Sequence, residues 1–357
     1  VVDMRGESGH GNLSPLGEEL AREVARVKDE GNQSVLFLNR RGYSHQTVCR
    51  SCGKAISCPR CSVAMNYHVK RGSPEGELVC HWCGGRKPVP SVCPECGSVH
   101  LVRMGYGTQR VEEDLKTAFP SARVLRMDAD TTSTKAAYDT LLGSFRAHEG
   151  DILLGTQMVT KGHDFPDVTL VGVLMADMSL YLDDYRAAER TFSMLTQVIG
   201  RAGRAKECGA SVIQTFNPSS DIIAMAADQN YRAFFESEIR LRRQLTFPPF
   251  CDIAVITLAS ADEALLAQAA TRMGERIREH IREEYTDVKA IIYGPFEAPV
   301  YKEQNVCRLR FGIKCRLNRR TREFISSLLC DFSKNGKNSR RGGTQVRVTA
   351  DLNPAVI

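Results

Sequence analysis

Short apolar runs and amphipathic stretches alternate along the first two thirds of this chain. "QSVLFL" is a compact apolar run that predicts a strand buried on both faces, and it leads into a basic turn, "NRRGYS". Residues 13 to 29, "LSPLGEELAREVARVKD", place apolar residues at helical spacing, with Ser14-Pro15 as N-cap and first turn. Further on, "RVEEDLKTAFP" reads as a helix, "ARVLRMDAD" as a strand and "TKAAYDTLLGSFRAH" as a helix. "GDILLGTQM" and "VTLVGVLMAD" are strands, "RAAERTFSMLTQVIGRA" is a helix and "GASVIQTF" a strand. Strands and helices alternating at these lengths predict an α/β fold, a parallel sheet with helices on its faces.

A different pattern follows. Residues 221 to 245 are helical and rich in Arg and Glu, and Pro248-Pro249 marks a boundary. Beyond it, "CDIAVITLAS", a helix from about Asp262 to Glu284, "AIIYGPFEAPV", "CRLRFGIKC", a helix from about Arg320 to Phe332 and "TQVRVTADLNP" predict a small α+β domain. The expected division is 1–47 and 101–220 for the two parts of the parallel-sheet lobe, 48–100 for a cysteine-rich insertion, 221–250 for a helical connector and 251–357 for the α+β domain.

The insertion carries the strongest chemical signal. Of thirteen cysteines, eight form the pairs Cys49/Cys52, Cys58/Cys61, Cys80/Cys83 and Cys93/Cys96. A C-x-x-C turn aims two thiolates at one ion, and four thiolates close a tetrahedral Zn²⁺ site, so four pairs fit two structural zincs. Cys₄ also suits an iron–sulfur cluster, and a lone C-x-x-C can be a redox pair. Spacing leaves the pairing open. The nested arrangement is preferred, with Cys49, Cys52, Cys93 and Cys96 on one ion and Cys58, Cys61, Cys80 and Cys83 on the other, because an inserted domain needs its two ends close together. His68 and His81 lie nearby but read as surface residues. Cys208, Cys251, Cys307, Cys315 and Cys330 are scattered without ligand spacing, and Cys251 reads as a small core residue.

Net charge is +6, and it is uneven. From residue 290 to the end there are thirteen Lys and Arg against five Asp and Glu, an excess of eight positive charges. This points to a polyanionic partner, nucleic acid before membrane, with a solvated charged face as the plainer reading. No apolar run approaches the roughly 20 residues needed to cross a bilayer, and the start, "VVDMRGESGHGN", has no signal-peptide pattern. A cytoplasmic location is the default expectation.

"TQVIGRAGRAKE" sets Arg201 and Arg204 three residues apart among small residues, open to a phosphate. Taken alone it could be a helix C-terminus followed by a basic, glycine-containing turn. Its place after "VLFLNRRG" and "DILLGTQMVTKGHDFPDVTLVGV" makes the chain resemble the second motor lobe of superfamily 2 helicases. The eight-cysteine insertion after "NRRGYS" narrows the resemblance to the bacterial replication-restart helicases of the primosome, over essentially the entire chain.

That resemblance implies a RecA-like lobe 2 interrupted by a two-zinc insertion and followed by a basic α+β DNA-binding domain. It implies that Arg201 and Arg204 neutralise charge on the γ-phosphate of ATP, with Gln197 of the same motif beside them. Relatives in the wider superfamily often read Gln-Arg there, whereas this chain has Gln197-Val198. Gly162 and Asp164 would hold the nucleotide ribose, and Thr156 and Lys161 would touch the DNA backbone. Strand-end capping and a solvated lysine are the local readings of those last two. The implied whole is an ATP-dependent 3′ to 5′ DNA helicase that recognises stalled forks and D-loops and restarts replication by primosome assembly. Its implied partners are branched and single-stranded DNA, primosome proteins, single-stranded-DNA-binding protein and the replicative helicase loader.

The chain contains no G-x-x-x-x-G-K-[ST] and no acidic magnesium box. ATP and Mg²⁺ are therefore expected only together with a first lobe that the sequence does not contain, and the chain reads as the C-terminal half of such a protein. The alternative is a non-enzymatic, zinc-stabilised module that binds DNA and proteins.

Overall fold

A computed structural model describes residues 1–9, 14–39, 47–59, 64–69, 76–80, 84–103, 108–128, 131–132, 134–156, 165–182, 184–202, 209–303, 305–334, 340–341 and 344–354. They form two compact units. The first comprises Val1–Ile56, Pro90–Leu182 and Arg186–Ser237, and the second Ser57–Val89, Asp183–Tyr185 and Glu238–Ile357. The division runs through the cysteine-rich segment at 56/57 and 89/90, so each unit holds part of it.

The first unit is built on a six-stranded sheet in the order Val2–Asp3, Ala210–Thr215, Val168–Leu174, Gln33–Leu38, Ile152–Gly155, Val124–Met127. Every neighbouring pair is parallel. Parallel strands need crossover helices, which cover both faces, so both faces must be apolar. Alternate residues of one strand accordingly enter different cores. Val35 and Phe37 pack with the helices Lys135–Arg146 and Ala187–Ala202 on one face. Leu36 and Leu38 pack with Glu18–Asp29 and Thr108–Ala118 on the other. At Gly172, in the central strand, a Cβ would stand 2.6 Å from Leu36 Cδ2 and 2.8 Å from Leu20 Cδ1. Helix Glu18–Asp29 can lie this close because that position has no side chain.

Two local expectations need correction. Helix Glu18–Asp29 starts at an extended Gly17, not at Ser14-Pro15. Ser14 Oγ instead donates to Asp114 Oδ2 at 2.9 Å and accepts from the N–H of Leu16, a local turn that competes with helix initiation. Residues 221–245 form two helices, Asp221–Ala227 and Tyr231–Gln244, broken at 228–230, where Gln229 takes a left-handed φ of 52°.

In the second unit a four-stranded antiparallel sheet runs Ile291–Glu303, Val306–Cys315, Asp252–Ser260, Arg347–Leu352. Helices Glu263–Glu283 and Arg319–Lys334 cover one face, where Ala254, Ile256, Leu258, Phe311 and Ile313 meet Leu266, Met273, Phe324 and Leu328. Asp262 caps the longer helix by accepting the Leu265 N–H at 2.9 Å. Cys251 is buried at the edge of this sheet, as its sequence context suggests. A three-stranded antiparallel sheet, Asn66–Val69, Gly76–Val79 and Arg86–Pro88, completes the unit. No described helix is long and apolar enough to cross a membrane.

Phe37 is 1% exposed and fills the centre of one core. Phe37→Ala is expected to lower the stability of the first unit by about 3–5 kcal/mol, read as an earlier denaturant midpoint. A midpoint equal to wild type would mean that the strand is not buried on both faces.

Candidate functional site

Three C-x-x-C-G turns share one backbone pattern. In each, the glycine N–H donates to the carbonyl of the first cysteine: Gly53 to Cys49 at 2.8 Å, Gly84 to Cys80 at 2.9 Å and Gly97 to Cys93 at 2.9 Å. Each first cysteine donates in turn to the residue after the glycine, namely Lys54, Gly85 and Ser98. The glycines take φ of +74°, +68° and +73°, which a side chain would strain. Such a turn leaves backbone N–H groups pointing at the sulfurs.

Two of these turns face each other. Strand Thr47–Cys49 pairs antiparallel with Leu101–Arg103, which brings the start and end of the cysteine-rich segment together. Lys54 Nζ reaches Glu95 Oε2 at 2.6 Å and Ser51 Oγ lies 2.6 Å from Ser98 Oγ, tying one turn to the other. The ligand atoms of Cys49, Cys52, Cys93 and Cys96 all lie within 4.8 Å of one another. Cys49 Sγ is 3.6 Å from Cys96 Sγ, and Cys52 Sγ is 3.7 Å from Cys93 Sγ. Tetrahedral Zn–S bonds of about 2.3 Å would set sulfurs about 3.8 Å apart, so the four thiols fit one zinc.

Their acidities fit the same conclusion. Burial pushes the Cys49 thiol up, but the N–H groups of Cys52 and Ser51 and the neighbouring thiols outweigh it and bring it down to about 7. Burial, reinforced by those same thiols, pushes Cys52 up to about 12. One thiolate forms readily and the next is opposed by it, a conflict that a divalent cation removes.

This centre rests on the lobe through backbone contact. A Cβ at Gly53 would lie 1.5 Å from the Phe216 carbonyl oxygen, so the turn packs directly on the chain leaving strand Ala210–Thr215. Tyr181 donates its hydroxyl to the Gly53 carbonyl at 2.5 Å. The Phe216 N–H donates to Asp177 Oδ2 at 2.7 Å, and Thr215 Oγ1 donates to Asp177 Oδ1. Burial pushes the fully buried Asp177 carboxyl up, against these donors. Sequence reasoning missed Tyr181 and Asp177. Gly53 after Cys52 was a visible signal for the turn but not for what the turn touches.

The second group is described only in part. Cys58 and Cys80 are buried, and the Cys80 turn has the shared geometry. Cys61, Cys83 and His81 lie outside the described residues, as does the side chain of His68.

The nucleotide-facing candidates lie along the carboxyl ends of the parallel strands, where open α/β sheets bind ligands. Thr156 follows strand Ile152–Gly155 directly and is half-buried. Gln197 is exposed on helix Ala187–Ala202, and Arg201 is half-buried in its last turn. Arg204, Lys161, Gly162 and Asp164 lie outside the described residues. At the same edge Asn39, missed in the sequence although "NRRG" begins with it, is 2% exposed. Its Nδ2 donates to the Ala176 carbonyl at 2.9 Å and to Ser179 Oγ at 2.8 Å, and Ser179 Oγ lies 2.7 Å from Thr191 Oγ1. The network fixes the turn after the central strand to the start of the arginine helix.

Three protein families match successive parts of this chain: the PriA DNA helicase Cys-rich region domain over residues 58–88, the Helicase conserved C-terminal domain over 102–206 and the Primosomal protein N C-terminal domain over 243–355. The chain is 41% identical to the replication restart protein PriA of Bacillus subtilis, over 99% of this chain and 42% of that protein. It is 43% identical to the same protein of Synechocystis over 74% of this chain and 32% of that one. With that of Haemophilus influenzae it shares 34% identity over 99% of this chain and 46% of the other. The chain thus spans less than half the length of these curated relatives. Together with the four-thiol cluster, the cysteine-rich match identifies a zinc-binding region.

Removing zinc with a chelator is expected to expose the amides of residues 49–53 and 93–97 to hydrogen exchange while those of strand Val168–Leu174 stay protected. Simultaneous loss in both would show that the metal holds the whole sheet. Gly53→Ala should produce the same local exposure with zinc still present, because its Cβ has no room beside Phe216.

Proposed function

Along nearly its whole length this chain belongs with the C-terminal part of the replication restart protein PriA family, and we propose that it supplies the second half of an ATP-dependent DNA helicase motor that restarts replication. The observation that carries the reading is the order of three matches on one chain, cysteine-rich region, helicase C-terminal domain and primosomal C-terminal domain. The sheet edge supports it, with Thr156 at a strand end and Arg201 in the last turn of a helix packed on that sheet.

In this reading Arg201 and Arg204 meet the γ-phosphate of an ATP held on a separate phosphate-loop lobe and stabilise the charge that spreads over its oxygens during transfer. Gln197 lies one helical turn before Arg201 and orders the same surface. Asp164, in the turn with Gly162, takes the ribose, and Thr156 and Lys161 hold the DNA backbone as the motor steps 3′ to 5′. Magnesium enters with ATP and the other lobe. Cys58, Cys61, Cys80 and Cys83 bind a second zinc, a reading supported by the knuckle geometry at Cys80. Zinc supplies folding free energy to these turns and takes no part in phosphate transfer.

The basic C-terminal domain binds DNA at stalled forks and D-loops. Primosome proteins, single-stranded-DNA-binding protein and the helicase loader are the partners of the assembled machine, which works in the cytoplasm at the nucleoid. Residues 1–47 and 101–220 serve as the motor lobe, 48–100 as its zinc insertion, 221–250 as a connector and 251–357 as the DNA-binding domain.

The test is phosphate release from ATP with forked DNA and zinc-loaded protein. The chain alone is expected to show no turnover. When a phosphate-loop lobe of the family is supplied, DNA-stimulated turnover should appear and Arg201→Ala should lower it by about 10³-fold or more. Unchanged turnover in Arg201→Ala would remove the arginine from the mechanism. No turnover in any combination, with DNA binding retained, would favour a zinc-stabilised binding platform.

A further inference from the structure

The four-stranded sheet of the second unit has two unlike faces. Strand alternation puts residues 254, 256 and 258 under the helices and residues 253, 255, 257 and 259 on the opposite face. The same alternation sends Arg308, Arg310 and Lys314, and Arg347, Thr349 and Asp351, to that opposite face. One half of it is closed. Ile253 and Val255 are buried with Phe247 and Tyr185, and Lys314 Nζ stands 3.6 Å from the Phe247 ring centroid while donating to the Leu245 carbonyl.

The other half is open. Thr257 and Ala259 are half-buried, and Arg347 and Thr349 are exposed. Register sets Arg347 and Arg308 on either side of Ala259, and Thr349 and Arg310 on either side of Thr257. The patch is therefore about 10 Å wide across the strands, and Arg308 and Arg310 stand about 7 Å apart along one of them.

Its charge is poorly matched within the protein. Asp351 stands on the same face and favours the Arg310 charge, yet among the described residues neither Arg310 nor Arg347 has a carboxylate within 4.0 Å. By contrast, Arg276, Arg319 and Arg320 of this domain each have a carboxylate oxygen within 3.2 Å. The Nε of Arg310 is buried and has no hydrogen-bond acceptor among the described residues. A buried guanidinium nitrogen left without an acceptor is costly, and an incoming anion removes that cost.

We infer that this open half-face, Arg308, Arg310 and Arg347 with the hydroxyls of Thr257 and Thr349, binds successive phosphates of a single nucleic-acid strand. The inference rests on the DNA-binding reading above and gives it an address. Both helices of the domain pack on the other face, so no helix is available here to enter a major groove. A sheet face two strands wide fits one extended backbone, the geometry of single-strand platforms.

The experiment is fluorescence anisotropy of the whole zinc-loaded chain with a labelled oligothymidylate of about 16 nucleotides, repeated over a salt series and with a blunt duplex. R310Q/R347Q is expected to weaken oligothymidylate binding by about tenfold or more and to lower the log–log salt slope by about 1.4, which is about 0.7 for each phosphate released. R347E alone, at an exposed position where folding is not at stake, is expected to weaken binding by several-fold. R319Q, on the helical side, should leave affinity and slope unchanged. Wild-type affinity in both R347E and R310Q/R347Q would overturn this site and leave the DNA-binding reading standing. A wild-type chain that binds neither probe would overturn both. Equal loss on duplex and single strand, at equal starting affinity, would overturn the assignment to a single strand.

Discussion

The burial of both faces of the parallel sheet is the constraint on which the first unit depends. Parallel strands cannot be joined by tight turns, so each crossover carries a helix, and the helices bury both faces. Strand Gln33–Leu38 shows the result, with six successive buried residues that alternate between two cores. Once the strands are aligned, their carboxyl ends lie along one edge. The residues that follow them are brought together there, whatever their separation in sequence.

The polar groups at that edge are held as firmly as the cores. Asn39, Ser179 and Thr191 come from three segments and satisfy one another, and Asp177 collects donors from Thr215 and Phe216. Buried polar networks of this kind are stable only when complete. They fix the turn after strand Val168–Leu174 and the start of the helix that ends in Arg201. The metal turn leans on the same region, since Tyr181 and Phe216 both touch Gly53.

Period and spacing made much of this legible. Apolar runs marked the strands because two-sided burial leaves no polar positions in them, and "DILLG" and "VTLVGVL" both fall in the parallel sheet. The nested grouping of Cys49, Cys52, Cys93 and Cys96, argued from the need to bring the ends of an insertion together, is the one whose thiols converge. Less accessible were features set by distant backbone. Nothing local distinguishes Ser14 from Gly17 as a helix start, because Ser14 is diverted by Asp114, a hundred residues away. Nor does composition reveal that Gly53 must stay bare for the sake of Phe216, or that alternation would leave Arg308, Arg310 and Arg347 side by side on an uncovered face.

The clasp between the two knuckles has one more consequence. Strand Thr47–Cys49 meets Leu101–Arg103, and the thiols of Cys52 and Cys93 lie 3.7 Å apart, so everything between them is a closed loop whose ends are already joined. The entropy of closing a loop grows only with the logarithm of its length, so doubling that intervening segment would add about 0.6 kcal/mol. Lineages could therefore lengthen, shorten or replace the enclosed segment at little thermodynamic penalty, while the residues outside the clasp keep their register.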